Sequence, residues 1–198
     1  MTSIVLVRHA PTEYNVADRL QGTLDIALGE AGVAQARAVA DALVGQYGAP
    51  DLLLTSPLAR AAQTAAAVGE AAGVEVVADA RLTQRSYGAW EGLTWDEVRA
   101  RWPQEYARRM EGLDPRIDGW DATAAVGARV AAALEEAAVG RELVIAVSHG
   151  SAILAGTLTL MGLDAYSGVL GHVGHGRWNV LRRRAAGEWT LERFAIGA

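Results

Sequence analysis

Two short apolar runs in this chain end in the same way, and that recurrence limits the fold more than any other feature. Ser3-Ile4-Val5-Leu6-Val7 runs into Arg8-His9, and Leu143-Val144-Ile145-Ala146-Val147 runs into Ser148-His149-Gly150. An unbroken Val/Ile/Leu run reads as a strand covered on both faces, the pattern of parallel sheets sandwiched by helices. Each run then delivers a histidine to the carboxyl edge of one sheet, where open α/β folds bind ligands. The chain has 4 histidines in 198 residues, so two at equivalent strand ends point to a built site.

The rest of the chain alternates in the same style. A helix is expected from about Glu30 to Gln46, with Val33, Ala36, Ala40, Leu43 and Val44 on one stripe. Asp51–Leu54 reads as a short strand, and Thr55-Ser56-Pro57 as the cap of a helix with Pro57 in its first turn. That helix carries Arg60 and Gln63-Thr64 and ends near Gly73; Val74–Val77 follows as a strand. A long helix over Thr123–Ala138, a helix after Gly150, and strands at Val169–Leu170, Trp178–Arg183 and Trp189–Phe194 complete the order. The expectation is one α/β domain, a three-layer αβα sandwich whose sheet is mainly parallel with an antiparallel edge strand.

Residues 81–119 break the alternation. Short helices fit Trp95–Arg101 and Pro103–Glu111, and the segment reads as a small helical cap inserted over the site. Trp90, Trp102, Tyr106, Met110 and Trp120 could stack on a ligand, but a small core of the insertion is the simpler reading.

A net charge of -5, with no basic run longer than Arg182-Arg183-Arg184, argues against a nucleic-acid partner. Cysteine is absent, which removes disulfide and thiolate chemistry. No apolar run reaches the length of a membrane span and no leader pattern opens the chain, so a cytoplasmic protein without a membrane partner is expected.

Arg8 and Arg60 sit where strands end and helices begin, and a guanidinium there suits a phosphate's oxygens. From this point the residues carry a resemblance. Arg8 to Asn15 is similar to the Arg-His signature of the histidine phosphatase superfamily, phosphoglycerate-mutase-like branch. Gln21-Gly22-Thr23-Leu24-Asp25 with Leu28 and Gly32, Ser56 to Ala65, Tyr87 to Leu93, and Val147-Ser148-His149-Gly150 resemble its further motifs in order. The Thr12–Val16 and Arg19–Gly22 runs, and more loosely Leu170–Trp178, resemble phosphatases of the glucosyl-3-phosphoglycerate type.

The resemblance implies His9 as nucleophile, forming a phosphohistidine that water hydrolyses, with Arg8, Arg60 and His149 neutralising the phosphoryl oxygens. Asn15 adds a hydrogen bond, and Thr12, Glu13, Gln21, Gly22 and Gly150 complete the expected substrate contacts. No metal or cofactor is implied, and His172 and His175 read as rim residues rather than a ligand pair. The partner is a small-molecule phosphate ester, possession of a homodimer edge at Trp189–Phe194 being allowed by the same resemblance. A phosphomutase, or a binder without turnover, are the alternatives.

Two positions depart from the pattern. Ala10 stands where the family has glycine, which would add strain if the position needs a positive φ. Gln84 stands where the family has its proton-donating glutamate, and an amide cannot donate that proton at neutral pH. Three accounts stand open: a deliberate Glu→Gln change that traps an ester, another acid among Glu13, Glu91 and Asp121, or binding retained without turnover. Glu91 reads first as a structural partner at a helix start.

Overall fold

The computed structural model describes residues 1–197. In chain order its elements are β1 (Ser3–Arg8), α1 (Glu13–Val16), α2 (Glu30–Tyr47), β2 (Leu52–Thr55), α3 (Ala59–Ala72) and β3 (Val76–Ala78). Then come α4 (Trp95–Arg101), α5 (Pro103–Met110), α6 (Thr123–Ala137), β4 (Leu143–Ser148), α7 (Gly150–Leu160), β5 (Trp178–Arg183) and β6 (Trp189–Ile196). The strands form one six-stranded sheet in the order β3-β2-β4-β1-β5-β6. The first four strands pair parallel, while β5 runs antiparallel to β1 and β6 antiparallel to β5.

Alternate side chains of each strand enter different cores, because a strand's residues point to opposite faces in turn. Ile4, Leu6, Leu54, Val144 and Ala146 pack with Val130 and Leu134 of α6 and Ile153 of α7. Val5, Val7, Leu53, Ile145 and Val147 pack with Leu43 of α2 and Val68 of α3. Helices on both faces explain why β1 and β4 lack the polar alternation of a half-solvated strand. The three-layer sandwich with an antiparallel edge is the architecture expected from the sequence.

Between β3 and α6 the chain builds a third, aromatic core. Leu20, Trp90 and Val98 are buried in it, with Tyr87, Trp95, Trp102, Tyr106 and Trp120 packed around them. Thr94 opens α4 with a reciprocal capping box to Glu97, and Pro103 starts α5. Met110 stays at the surface, 55 % exposed.

Two local expectations are corrected. Val169–Leu170 is irregular chain between α7 and β5, not a strand, because this stretch leads into a loop whose polar groups fasten onto Arg8. Helix α3 begins at Ala59 with Leu58 as its N-cap, so Pro57 lies before the first turn. Ser56 Oγ is engaged by His149, and the Ala59 N–H is capped instead by Asp25 Oδ1 at 2.7 Å. Arg182 and Arg183 lie on β5, paired to Glu192 and Glu135. Among the described residues no helix is long and apolar enough to cross a membrane.

Candidate active site

The β1–β4 register pairs Arg8 with Ser148, so the next residues, His9 and His149, emerge side by side with ring centroids 5.0 Å apart. His9 N–H donates to the Ser148 carbonyl at 3.0 Å, extending the ladder by one step. His9 Nδ1 lies 2.7 Å from the Ala10 carbonyl. A carbonyl only accepts, so Nδ1 carries the proton and Nε2 keeps its lone pair. Burial, then the charges of His175, Arg60 and Arg8, hold this imidazole well below its ordinary range and therefore neutral. Ala10 has no positive φ, so its Cβ brings no backbone strain; its N–H donates to Thr64 Oγ1 at 3.1 Å.

His149 is fixed through its other nitrogen. Its Nε2 is 2.8 Å from Ser56 Oγ, while the same Oγ accepts from the Leu58 N–H at 3.3 Å. That Oγ has a second acceptor lone pair as well as its proton, so it can bond His149 Nε2 in either tautomer. His149 Nδ1 is buried without a partner among the described residues. Burial, with His9 next, depresses this imidazole too.

Arg8 donates to His172 Nε2, to the Val173 carbonyl at 2.6 Å and to His175 Nε2 at 2.7 Å. His175 Nδ1 in turn donates to the His9 carbonyl at 3.1 Å, which closes a ring of bonds from Arg8 back to His9. Arg60 donates to the carbonyls of Leu24 and Gly22, both at 2.7 Å. Neither arginine has a carboxylate partner among the described residues, and the Nε of each is buried and unbonded. Burial pulls both guanidinium groups down to about 10, which leaves them cationic at neutral pH. Gly150 starts α7 where a Cβ would sit 3.3 Å from Arg8 Cζ, so the helix end and the guanidinium pack without a side chain between them.

Arg8, His9, Arg60, His172 and His175 open into a cavity of about 280 Å³, lined also by Asn15, Gln21, Gly22, Gln84 and Tyr87, and by Asp18, Arg19, Leu20 and Trp95; His149, fully buried beside His9, is not part of that lining. Its amides share one trait. Asn15 Oδ1 accepts from Thr12 N–H, Gln21 Oε1 from Thr12 Oγ1, and Gln84 Oε1 from Arg85 N–H. What remains to each is an NH₂ group, so the cavity is dominated by donors and cations: an anion site.

The expected contacts divide accordingly. Arg8, His9, Asn15, Gln21, Gly22, Arg60 and Gln84 line the cavity. Buried Thr12 caps α1 and orients the two amides, Glu13 is exposed on α1 outside the lining, and Gly150 acts by giving Arg8 room. Of the alternative acids, Glu13, Glu91 and Asp121 are all absent from the lining. Asp121 Oδ2 accepts from Ser86 N–H at 2.9 Å. Glu91 accepts from Thr23 N–H at 2.8 Å and from Tyr87 N–H at 3.1 Å, fastening the loop after α1 to the aromatic segment rather than opening a helix. Gly22 has a φ of +52° and a Cβ there would lie 2.0 Å from Glu91 Oε1, so only glycine fits under the carboxylate. The segment bearing Gln84 is held by Arg129, which donates to the carbonyls of Arg81 and Thr83 at 2.6 Å and of Gln84 at 3.2 Å.

His172 and His175 do line the cavity, yet they do more than form a rim: they hold Arg8. Their Nε2 lone pairs accept from a cation, and among the described residues no group of three or more His, Asp or Glu is placed to hold a metal ion. The sequence reading missed this pairing, along with Tyr87, Trp95 and Asp18 as lining groups. A glycine-rich loop has no period from which such long-range bonds could be read.

Known proteins are similar to this chain in sequence and in fold. The family model described as the histidine phosphatase superfamily, branch 1, matches residues 4–197. Phosphoserine phosphatase 1 of Hydrogenobacter thermophilus is 34% identical over 169 residues, 83% of this chain and 78% of that protein. The glucosyl-3-phosphoglycerate phosphatase of Mycolicibacterium vanbaalenii is 35% identical over 185 residues, 88% of this chain and 81% of that protein. Among solved structures, a mycobacterial glucosyl-3-phosphoglycerate phosphatase in complex with VO3 superposes with a TM-score of 0.90 at 31% identity, over 100% of both chains. With a family model spanning nearly its whole length, the chain belongs to branch 1 of the histidine phosphatase superfamily.

Proposed function

We propose that this protein hydrolyses a small phosphomonoester through a phosphohistidine on His9, without a metal. The observation that carries the reading is the pairing of a neutral imidazole, with its Nε2 lone pair free, and two buried guanidinium groups that have no carboxylate of their own. The phosphoryl oxygens bond Arg8, Arg60 and the Asn15 amide, which line the cavity, and His149 beside His9 adds a further donor once the phosphoryl group is on that ring. His9 Nε2 attacks phosphorus in line, the P–N bond forms and the P–O bond to the alcohol breaks. Water then attacks the phosphohistidine and releases inorganic phosphate, returning His9 to its neutral form.

Gln84 sets the character of the first step. Its NH₂ group hydrogen-bonds the departing oxygen but transfers no proton, so an alkoxide must take its proton from water. General acid catalysis is typically worth about 10²–10⁴ in rate, and esters of more acidic alcohols lose least of it. The similarity to phosphoserine and glucosyl-3-phosphoglycerate phosphatases supports a small polar ester. A cavity of about 280 Å³ with Arg8 and Arg60 in its lining gives the phosphate end of such an ester its place.

The test is rapid quenching during turnover of phenyl phosphate. An acid-labile, base-stable phosphoryl group on His9, absent from His9→Ala, is expected. Turnover retained by folded His9→Ala would overturn the reading, and bound ester with no phosphohistidine and no phosphate release would establish a binder instead.

A further inference from the structure

We infer that this pocket selects phosphate esters whose alcohol carries a cationic nitrogen, with Asp18 as the residue that recognises it; the inference rests on the phosphomonoester reading above. Asp18 is the one carboxylate among the residues lining a cavity that also holds Arg8, Arg19 and Arg60. Its φ is +51°, in the left-handed region that glycine enters freely and that aspartate tolerates at some cost. Asp18 is exposed, and no hydrogen bond or ion pair occupies its carboxylate among the described residues.

Its neighbour does not cancel the charge. Arg19 donates to the Gly92 carbonyl at 2.7 Å and to Glu97 at 3.4 Å, so it is already paired. A carboxylate without a protein partner on the wall of a phosphate cavity disfavours an ester with a second anionic group and gives nothing to a neutral one. An ammonium group reverses the sign: it meets Asp18 while the phosphate meets Arg8 and Arg60. Trp95 and Leu20 line the same cavity, and an indole face adds attraction for a cation.

The experiment compares kcat/KM for phosphoethanolamine, its near-isostere propyl phosphate and 3-phosphoglycerate at low ionic strength. The unaltered protein is expected to favour phosphoethanolamine over propyl phosphate by about 3- to 10-fold, the scale of one charge pair near water. Added salt should narrow the ratio. In Asp18→Asn and Asp18→Gly the ratio should fall to about one and 3-phosphoglycerate should gain; the glycine variant suits the left-handed backbone and guards against a folding defect. A ratio near one in the unaltered protein, or an equal loss on all three esters in both variants, would overturn the inference. If phenyl phosphate is not hydrolysed either, the phosphatase reading has failed separately. The same preference is then read by competition of the three esters against vanadate binding, and equal competition would again overturn it.

Discussion

Arg60 and Arg85 are both buried, yet they live in opposite electrostatic surroundings. Arg85 meets Asp114 at 3.1 Å and Thr123 Oγ1 at 2.6 Å, and lies over the Trp120 ring at 5.1 Å. Asp114 also accepts from Thr123 N–H, Trp120 Nε1 and Tyr166 Oη. Burial opposes its charge, but the bonds from Thr123, Tyr166 and Trp120 outweigh that and hold its carboxyl down at about 2. Arg60, like Arg8, has only neutral carbonyl or imidazole acceptors. A buried arginine that brings its own carboxylate closes a structure, whereas one satisfied only by neutral groups keeps its charge for an incoming anion.

The largest expected effect sits beside the unpaired pair. Gln84→Glu should raise kcat/KM for alkyl esters by about 10²–10⁴ and far less for phenyl phosphate. Equal gains on both would show that the glutamate acts on the site's field and not on the leaving oxygen. Arg60→Ala should weaken vanadate or phosphate binding by about 100-fold, on the order of one charged bidentate contact, with a smaller loss of melting temperature than the loss of Asp114 brings. Asp114→Ala should do the reverse. Stranding Arg85 should cost about 3 kcal/mol, roughly 6–12 °C in melting temperature for a chain of this size, while vanadate affinity stays unchanged. If both variants lost stability alike, the contrast between the two arginine sites would dissolve.

The smallest effect follows from the imidazoles. Burial keeps His9 and His149 neutral in the folded protein, whereas in the unfolded chain they take up protons below about pH 6.5. Stability is then full above that pH and falls below it, by about 1 kcal/mol for each of these two groups at pH 5.5. Melting temperature between pH 7.5 and 5.5 reads this directly. A flat profile would mean that the rings are open to solvent.

Much of the site was legible because its residues stand at ends of elements that hydrophobic pattern marks well. Val5 to His9 and Val144 to His149 fixed both the strands and the edge, and the two histidines do emerge together. The loop from Val169 to Gly176 was not legible, since its order comes from bonds to Arg8 that no local period encodes. The same holds for Asp25, which caps α3 from outside: its role depends on Ser56 being taken by His149. Asp114 looked like one more acidic residue of an irregular stretch, because its five donors converge only in the folded molecule. Sequence pattern records which face of an element is apolar, and it is silent on which distant donor completes a polar group.

Glu91 gives the entrance a fixed bore. By fastening the Gly22–Thr23 turn to the Ser86–Tyr87 backbone, over a glycine that leaves no slack, it makes two walls of the cavity one piece. An opening made this way does not widen for a bulky ester and tighten around a slim one. Evolution can retune such an aperture only by exchanging the side chains along it, so close relatives with different substrates should differ at positions such as Asp18 and Trp95 while their backbones superimpose.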